Sequence, residues 1–432
     1  MADSRGVPAR SRARSAQLAT HGYRLGACRD GRGRPLGQGE GEFSGPISRA
    51  LRGSLGNTRL VSSGAEPLTP VKGPLVTSLD VPLSTTDSNP RARLLAPVLI
   101  AFLLPIALIL KYGIGLHPAW FRFADAAAHW PNVGAESLLA VGDRALLSNV
   151  APAWIAGALH LSGDHSYVAF SIVTTVIALS LPVPLRIRDG FGSFTKIYLL
   201  VCLGGSLAPV LLMWVGGYDA LLVCCLTVGA LTRNRYVSAA GWLLAAFTHS
   251  AVALPAALLW IGYIALNERG WPGRRTWVCA VTTVAACLVG YAAIHLLTDS
   301  WGGSTDRFTL FRQIPFDGIL QCYANAFPAI VFSGLGITWI LVLLPSLRSL
   351  TATRIFFALA LALILVVPLV AVDETRITAL IMVPLTLAWV DLASVAIPAP
   401  TVGRIWRWAL VPALVVPVCV VWMGDIHWPY WL

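Results

Sequence analysis

The chain has 432 residues, of which 56% are hydrophobic and only 12% charged, with a formal net charge of +11. Its mean hydropathy of +0.69 excludes an ordinary water-soluble domain. Apolar runs of about 17–20 residues recur along most of the sequence, the length a helix needs to cross ~30 Å of hydrocarbon. Backbone polar groups in lipid must be satisfied within the segment or by a closed barrel. The alternating pattern of an outer-membrane barrel is missing, so the expected fold is all-α: a polytopic transmembrane helical bundle of about 10–11 spans.

Residues 1–93 differ in composition from the rest of the chain. Fourteen of the 32 basic residues lie there, in a segment rich in Arg, Gly, Ser and Pro that opens "MADSRGVPARSRARSAQLATHGYRLGACRDGRGRPLGQGE". Such a composition cannot bury enough apolar surface to offset chain entropy, and disorder is the expectation. It has no apolar core near its start, so it does not read as a cleavable signal peptide. The remaining basic residues border apolar runs, where they orient a membrane protein, and the positive charge is therefore not a nucleic-acid signal. The excess of Arg over Lys, with abundant Ala, suggests a GC-rich bacterial genome. The eight Cys residues fall mostly inside apolar runs, as with Cys202, Cys224, Cys225, Cys287 and Cys419. They have neither metal-ligand nor obvious disulfide spacing, and read as small core hydrophobes.

The candidate spans, in chain order, are 94–111, 166–184, 196–214, 218–232, 236–250, 251–266, 276–298, 328–346, 355–372, 377–396 and 406–424. With the basic tail in the cytoplasm, the 112–165 loop is extracytoplasmic. The inner connections then carry twelve basic residues against six outside, the expected positive-inside bias. The run 236–266 has a basic cluster at each end, "RNR" before it and "NERGWPGRR" after it. A single helix of that length would put one cluster outside; a hairpin turning near Thr248-His249-Ser250 keeps both inside. The hairpin is the preferred reading, because short or broken helices are tolerated where they line a protein-enclosed cavity.

This topology gathers most acids of the membrane part on the outer side, including Asp125, Asp143, Asp219, Asp373 and Glu374. Longer outer loops account for part of that excess. The first outer loop, "GIGLHPAWFRFADAAAHWPNVGAESLLAVGDRALLSNVAPAWIAGAL", is long for a connection without function. Its second half reads as an amphipathic interfacial helix. A carboxylate in such a loop suits general-base chemistry or a divalent cation. Asp125 is the leading candidate, with a plain surface acid as its alternative; Asp143 has a simple structural partner in Arg144.

The stretch "WVGGYDALLV" turns tightly on two glycines and presents Tyr218 and Asp219 at a span end. Asp219 reads either as a functional ionisable group or as a helix cap. His249, inside a strongly apolar segment, must bond a neighbour or face water. Arg376 in "AVDETRITAL" opens a span with a rigid fork suited to phosphate or carboxylate. It is expected either to hold a lipid-linked phosphate or simply to pair with Asp373 and Glu374.

Taken together, "FRFAD" in the first outer loop, the "GGYD" turn, the "LTRNRY" link, "GWLLAAFTHSAVALP" and the late "DETRI" carry a resemblance. Residues 94–396 resemble the GT-C superfamily, polytopic glycosyltransferases that use polyprenyl-phosphate sugar donors outside the cytoplasm. The resemblance implies Asp125, with Asp219 and Asp143, as catalytic carboxylates, and Arg376 with His249 as the donor-phosphate site. Tyr218, Asp373 and Glu374 would support them, in a multi-pass protein of the bacterial plasma membrane. Its partners would be a lipid-linked sugar donor and membrane lipids, with a divalent cation as the possible cofactor. A polysaccharide polymerase, a flippase-like protein or a transporter would belong to the alternative classes. A transporter calls for mid-span charges and internal repeats, and neither stands out.

Overall fold

The computed structural model describes Leu99 and residues 103–133, 149–186, 192–268, 272–301, 316–338, 351–369, 371, 373–422 and 424–428. The basic tail 1–93 lies outside them, as do Asp143 and Arg144. The described chain is a bundle of helices, as the apolar runs require. In chain order they are α1 (Leu103–Tyr112), α2 (Trp120–Ala128), α3 (Ala151–Ala158), α4 (Asp164–Ser180), α5 (Pro182–Leu185), α6 (Ser193–Gly204), α7 (Leu207–Met213), α8 (Asp219–Leu231), α9 (Arg235–Asn267), α10 (Arg274–Ser300), α11 (Phe316–Leu335), α12 (Thr351–Val366), α13 (Glu374–Ala396) and α14 (Ala399–Val415). Two short antiparallel strands come after α14, β1 (Val420–Trp422) and β2 (Asp425–His427).

Among the described residues, six helical segments are long and apolar enough to cross a membrane, or seven if the bent pair α6–α7 counts as one. α13 is the most enclosed of them and α10 the least. Val278, Val281, Leu288, Val289 and Leu296 of α10 are exposed. In water such a face would be a liability, and in lipid it is the ordinary outer surface of a bundle.

Four spans differ from their sequence reading. The 328–346 run is displaced: its helix, α11, runs Phe316–Leu335, because 316–327 is apolar enough to extend the span towards the N-terminus, and residues 339–346 lie outside the described residues. The 196–214 run is not straight, because α6 and α7 meet at 55° across Gly205 and Ser206. The carbonyls freed by the break find partners: Lys111 Nζ and Tyr112 OH both donate to Leu203 O, and Ile337 N donates to Gly204 O. That is how a broken helix survives at membrane depth. The 218–232 run is helical over 13 residues only. The 406–424 run is helical to Val415, then gives way to the β1–β2 ribbon, which turns at Gly424 with φ +79°. Its Val-rich end favours strand over helix, which apolarity alone does not reveal.

The hairpin reading of 236–266 agrees with the geometry. α9 is continuous by hydrogen-bond pattern, yet His249 has φ −159° and ψ 86°, far from helical. The rings of Trp242 and Trp260 approach to 5.5 Å. In a straight helix their Cα atoms would stand about 27 Å apart at 1.5 Å per residue, so the two arms fold back on each other at His249. Gly229 and Gly241 let α8 and the first arm touch backbone to backbone, a Cβ on Gly241 falling 2.6 Å from Gly229 N. Ser238 Oγ donates to Gly229 O at 2.6 Å. The first arm therefore runs antiparallel to α8 and delivers His249 to the end of the bundle where α8 begins.

Candidate functional site

Three distant segments meet at that end. α8 contributes Tyr218 and Asp219 at its N-terminus, the α9 hairpin contributes His249 at its tip, and α13 contributes Asp373 and Arg376. Arg376 Nε donates to Asp219 Oδ2 at 2.7 Å, and Nη2 donates to Oδ1 at 2.9 Å. This is the bidentate fork that makes an Arg–carboxylate pair strong and geometrically specific. Nη1 donates to Asp373 Oδ2 at 2.8 Å. Asp219 and Arg376 are buried, at 1% and 5% exposure, while the Asp373 side chain keeps 17%.

The placement of Arg376 runs against helix electrostatics. A cation in the first turn faces the positive end of the macrodipole, and two carboxylates are what make it tolerable. Asp373, at the N-cap position, accepts from Arg376 and makes no side-chain cap bond to the helix backbone. Asp219, in the first turn of α8, suits that helix's positive end. The triad carries one net negative charge where two helix N-termini converge.

Aromatic rings wall the triad. The guanidinium carbon lies 4.8 Å from the Tyr218 ring centroid and 5.7 Å from that of Trp214, within cation–π range. His249 meets Tyr218 edge-on at 4.9 Å, and Phe123 of α2 meets it at 6.4 Å. The "GGYD" glycines act as read from the sequence. Gly216 has φ +94°, and a Cβ there would fall 2.6 Å from Trp120 Cβ, so only glycine lets α2 close over the turn. From the other side, Val421 N of β1 donates to Thr375 Oγ1 at 2.9 Å. Thr375 Oγ1 also shares a 2.7 Å hydrogen bond with Ser333 Oγ.

Of the residues nominated from sequence, the structure brings together Tyr218, Asp219, His249, Asp373 and Arg376. Glu374 opens α13 beside them. Asp125 is on α2, the helix that covers the cluster, but its side chain is exposed. Phe123 takes the inward position, two residues and about 200° of helix away. Among the described residues, no group of three or more His, Cys, Asp or Glu side chains is placed to hold a metal ion. The Cys residues named as core hydrophobes are free thiols, with Cys202, Cys225, Cys287 and Cys419 buried and Cys224 half-buried.

His117 and Trp214 complete the site, and sequence reasoning passed over both. The only signal for His117 was "LHPAW", a histidine beside a proline at the end of a span. Its Nδ1 accepts from Ala119 N at 3.0 Å, and its ring lies 6.0 Å from Phe123 and 6.5 Å from Tyr218. Burial first, then the charges of Arg376 and Arg122, hold its pKa well below the ordinary 6.5. A histidine kept neutral in the fold but free to charge when unfolded adds stability above its unfolded pKa. That contribution is lost as pH falls below about 6.5. The thermal stability of the detergent-solubilised protein is therefore expected to fall between pH 7.5 and pH 5. His117→Gln should flatten that dependence; an unchanged slope in the variant would assign the acid sensitivity elsewhere.

No protein-family model matches the chain, and the searches of curated proteins and of solved structures return no match either.

Proposed function

We propose that this polytopic helical protein is a membrane glycosyltransferase, moving a sugar from a polyprenyl-phosphate donor to a cell-envelope acceptor outside the cytoplasm. The observation that carries the reading is the convergence at one end of the bundle of Tyr218, Asp219, His249, Asp373 and Arg376, drawn from three segments, the outer two of which, at Asp219 and Arg376, are 157 residues apart. A non-catalytic scaffold has no need to gather scarce ionisable groups from three helices beneath an aromatic layer.

In this reading each residue takes its part from its surroundings. Asp219 is buried, with both oxygens engaged by Arg376, so it orients the guanidinium and is poorly placed to take a substrate proton. Asp373 holds Arg376 through one bond and keeps more exposure. The donor phosphate takes that Nη1 position by displacing the Asp373 carboxylate, and the two helix N-termini add to the attraction. As the bond to the anomeric carbon breaks, charge builds on the phosphate, and a guanidinium already fixed in place stabilises it without reorganising. Asp125, exposed on the outward side of α2, is the base in this reading and accepts the proton of the attacking hydroxyl. Base and leaving group act on opposite faces of the anomeric carbon, so they need not touch. The sugar inverts at that carbon: the acceptor oxygen bonds to it as the phosphate oxygen leaves with the electron pair.

The test is a comparison of glycolipids and envelope glycans between a parent strain and a deletion strain. Loss of one defined glycosyl substituent, restored by the wild-type gene but not by a copy carrying Arg376→Lys, is the expected result. Identical glycans in parent and deletion strains would remove the proposal.

A further inference from the structure

The helical layer over the site presents two large indoles outward. Trp130, just after α2, and Trp154 of α3 are each 41% exposed. Their ring centroids lie 6.4 Å apart with planes at 60°. The pair is fixed by backbone packing. A Cβ on Gly157 would fall 2.6 Å from both Ala127 O and Trp130 Cβ, so α3 lies directly against the end of α2 and holds Trp154 beside Trp130. Phe121 and Asp125 are exposed one helical turn apart on α2, which places an aromatic ring and a carboxylate on one outward stripe.

Two environments accept exposed indoles at a membrane protein's end: the headgroup layer, and water with a ligand. Charge separates them. Among the described residues of α2 and α3 the exposed charged side chain is the acid Asp125, with Asp164 exposed at the start of the neighbouring α4, while Arg122 is half-buried. Surfaces that bind anionic headgroups carry Lys and Arg; an outward carboxylate repels phosphate. What fits aromatic faces beside a carboxylate is an uncharged, hydroxyl-rich ligand. The C–H faces of a pyranose or furanose ring lie on the indoles, and its hydroxyls donate to the carboxylate.

We infer that the α2–α3 layer is a carbohydrate-binding platform, with Trp130 and Trp154 stacking on sugar rings and Asp125 accepting from a hydroxyl. Its ligand is a neutral oligosaccharide segment. It serves as the acceptor subsite if the glycosyltransferase reading holds, and that assignment alone rests on it.

Binding is measured without any transfer reaction. The full chain in lipid nanodiscs is titrated with cellohexaose, mannohexaose and arabinohexaose, followed by saturation-transfer NMR. At least one of these probes is expected to bind. Its affinity should fall about five- to ten-fold in Trp154→Ala and be largely kept in Trp154→Phe. In parallel, nanodiscs of brominated phosphatidylcholine report whether the indoles sit in lipid. The difference in emission between wild type and Trp154→Phe should be unquenched. No binding of any probe, binding indifferent to Trp154→Ala, or strong bromolipid quenching of that emission would each overturn the platform. Binding that depends on Trp154 in a protein whose deletion leaves envelope glycans unchanged supports the platform while removing the transferase.

Discussion

Asp219→Ala is expected to cost about 3–5 kcal/mol of stability, because it strips the bidentate partner from a guanidinium buried in the bundle. Asp373→Ala removes one bond to a more exposed carboxylate, and should cost only about 1 kcal/mol. The order of these two losses is the informative part. Arg376 is 5% exposed and keeps one N–H bonded in the first variant but two in the second. Replacing both partners, Asp219→Leu with Arg376→Met, removes the charges together and should recover much of the loss, since apolar residues of similar volume often match or exceed a buried ion pair. Thermal unfolding in detergent, with monodispersity as the check on folding, measures all three. Equal losses for the two single variants would mean that the bidentate arm contributes no more than the single one.

The second large effect concerns activity. Asp125→Asn should lower glycosyl transfer by about 10²–10⁴-fold, the usual contribution of a positioned general base, with no change in thermal stability because the side chain is exposed. The readout is transfer from a polyprenyl-phosphate sugar to the acceptor found in the deletion comparison, followed across pH. Transfer that persists at wild-type rate in the variant would pass the base role to another acid. Asp219→Ala should lower transfer and stability together, whereas Asp125→Asn should separate them. That contrast distinguishes a residue that touches substrate from one that orients Arg376.

Much of the fold is legible in the sequence, and the reasons are physical. Apolarity and length fix a membrane helix almost by themselves, so α10 and α13 follow the runs 276–298 and 377–396 closely. The hairpin in α9 was legible because basic clusters flank the run at both ends, and Trp242 against Trp260 bears it out. The ribbon at β1–β2 was not, because hydropathy does not distinguish a Val-rich strand from a short helix. At the site, local sequence offered Arg376 two acids in its own turn, Asp373 and Glu374. The stronger partner is Asp219, 157 positions away. No periodicity records such a pairing; it exists only once α8 and α13 pack. The glycines of "GGYD" were readable as a tight turn, but that the turn admits Trp120 and His117 depends on α2 folding back over it. His117 itself is one apolar-flanked histidine among several, and nothing near it in sequence announces its burial against Tyr218.

The separation of Asp219 from Arg376 also has a consequence for biogenesis. Asp219 leaves the ribosome 157 residues before its counter-ion, on the order of ten seconds at ordinary elongation rates. For that interval the nascent carboxylate lacks its native guanidinium, and it lingers in the wet mouth of the insertion machinery. Final docking of α8 is then deferred until the Arg376 codon has been translated, and a ribosome stalled between the two would leave an orphan acid for membrane quality control to find.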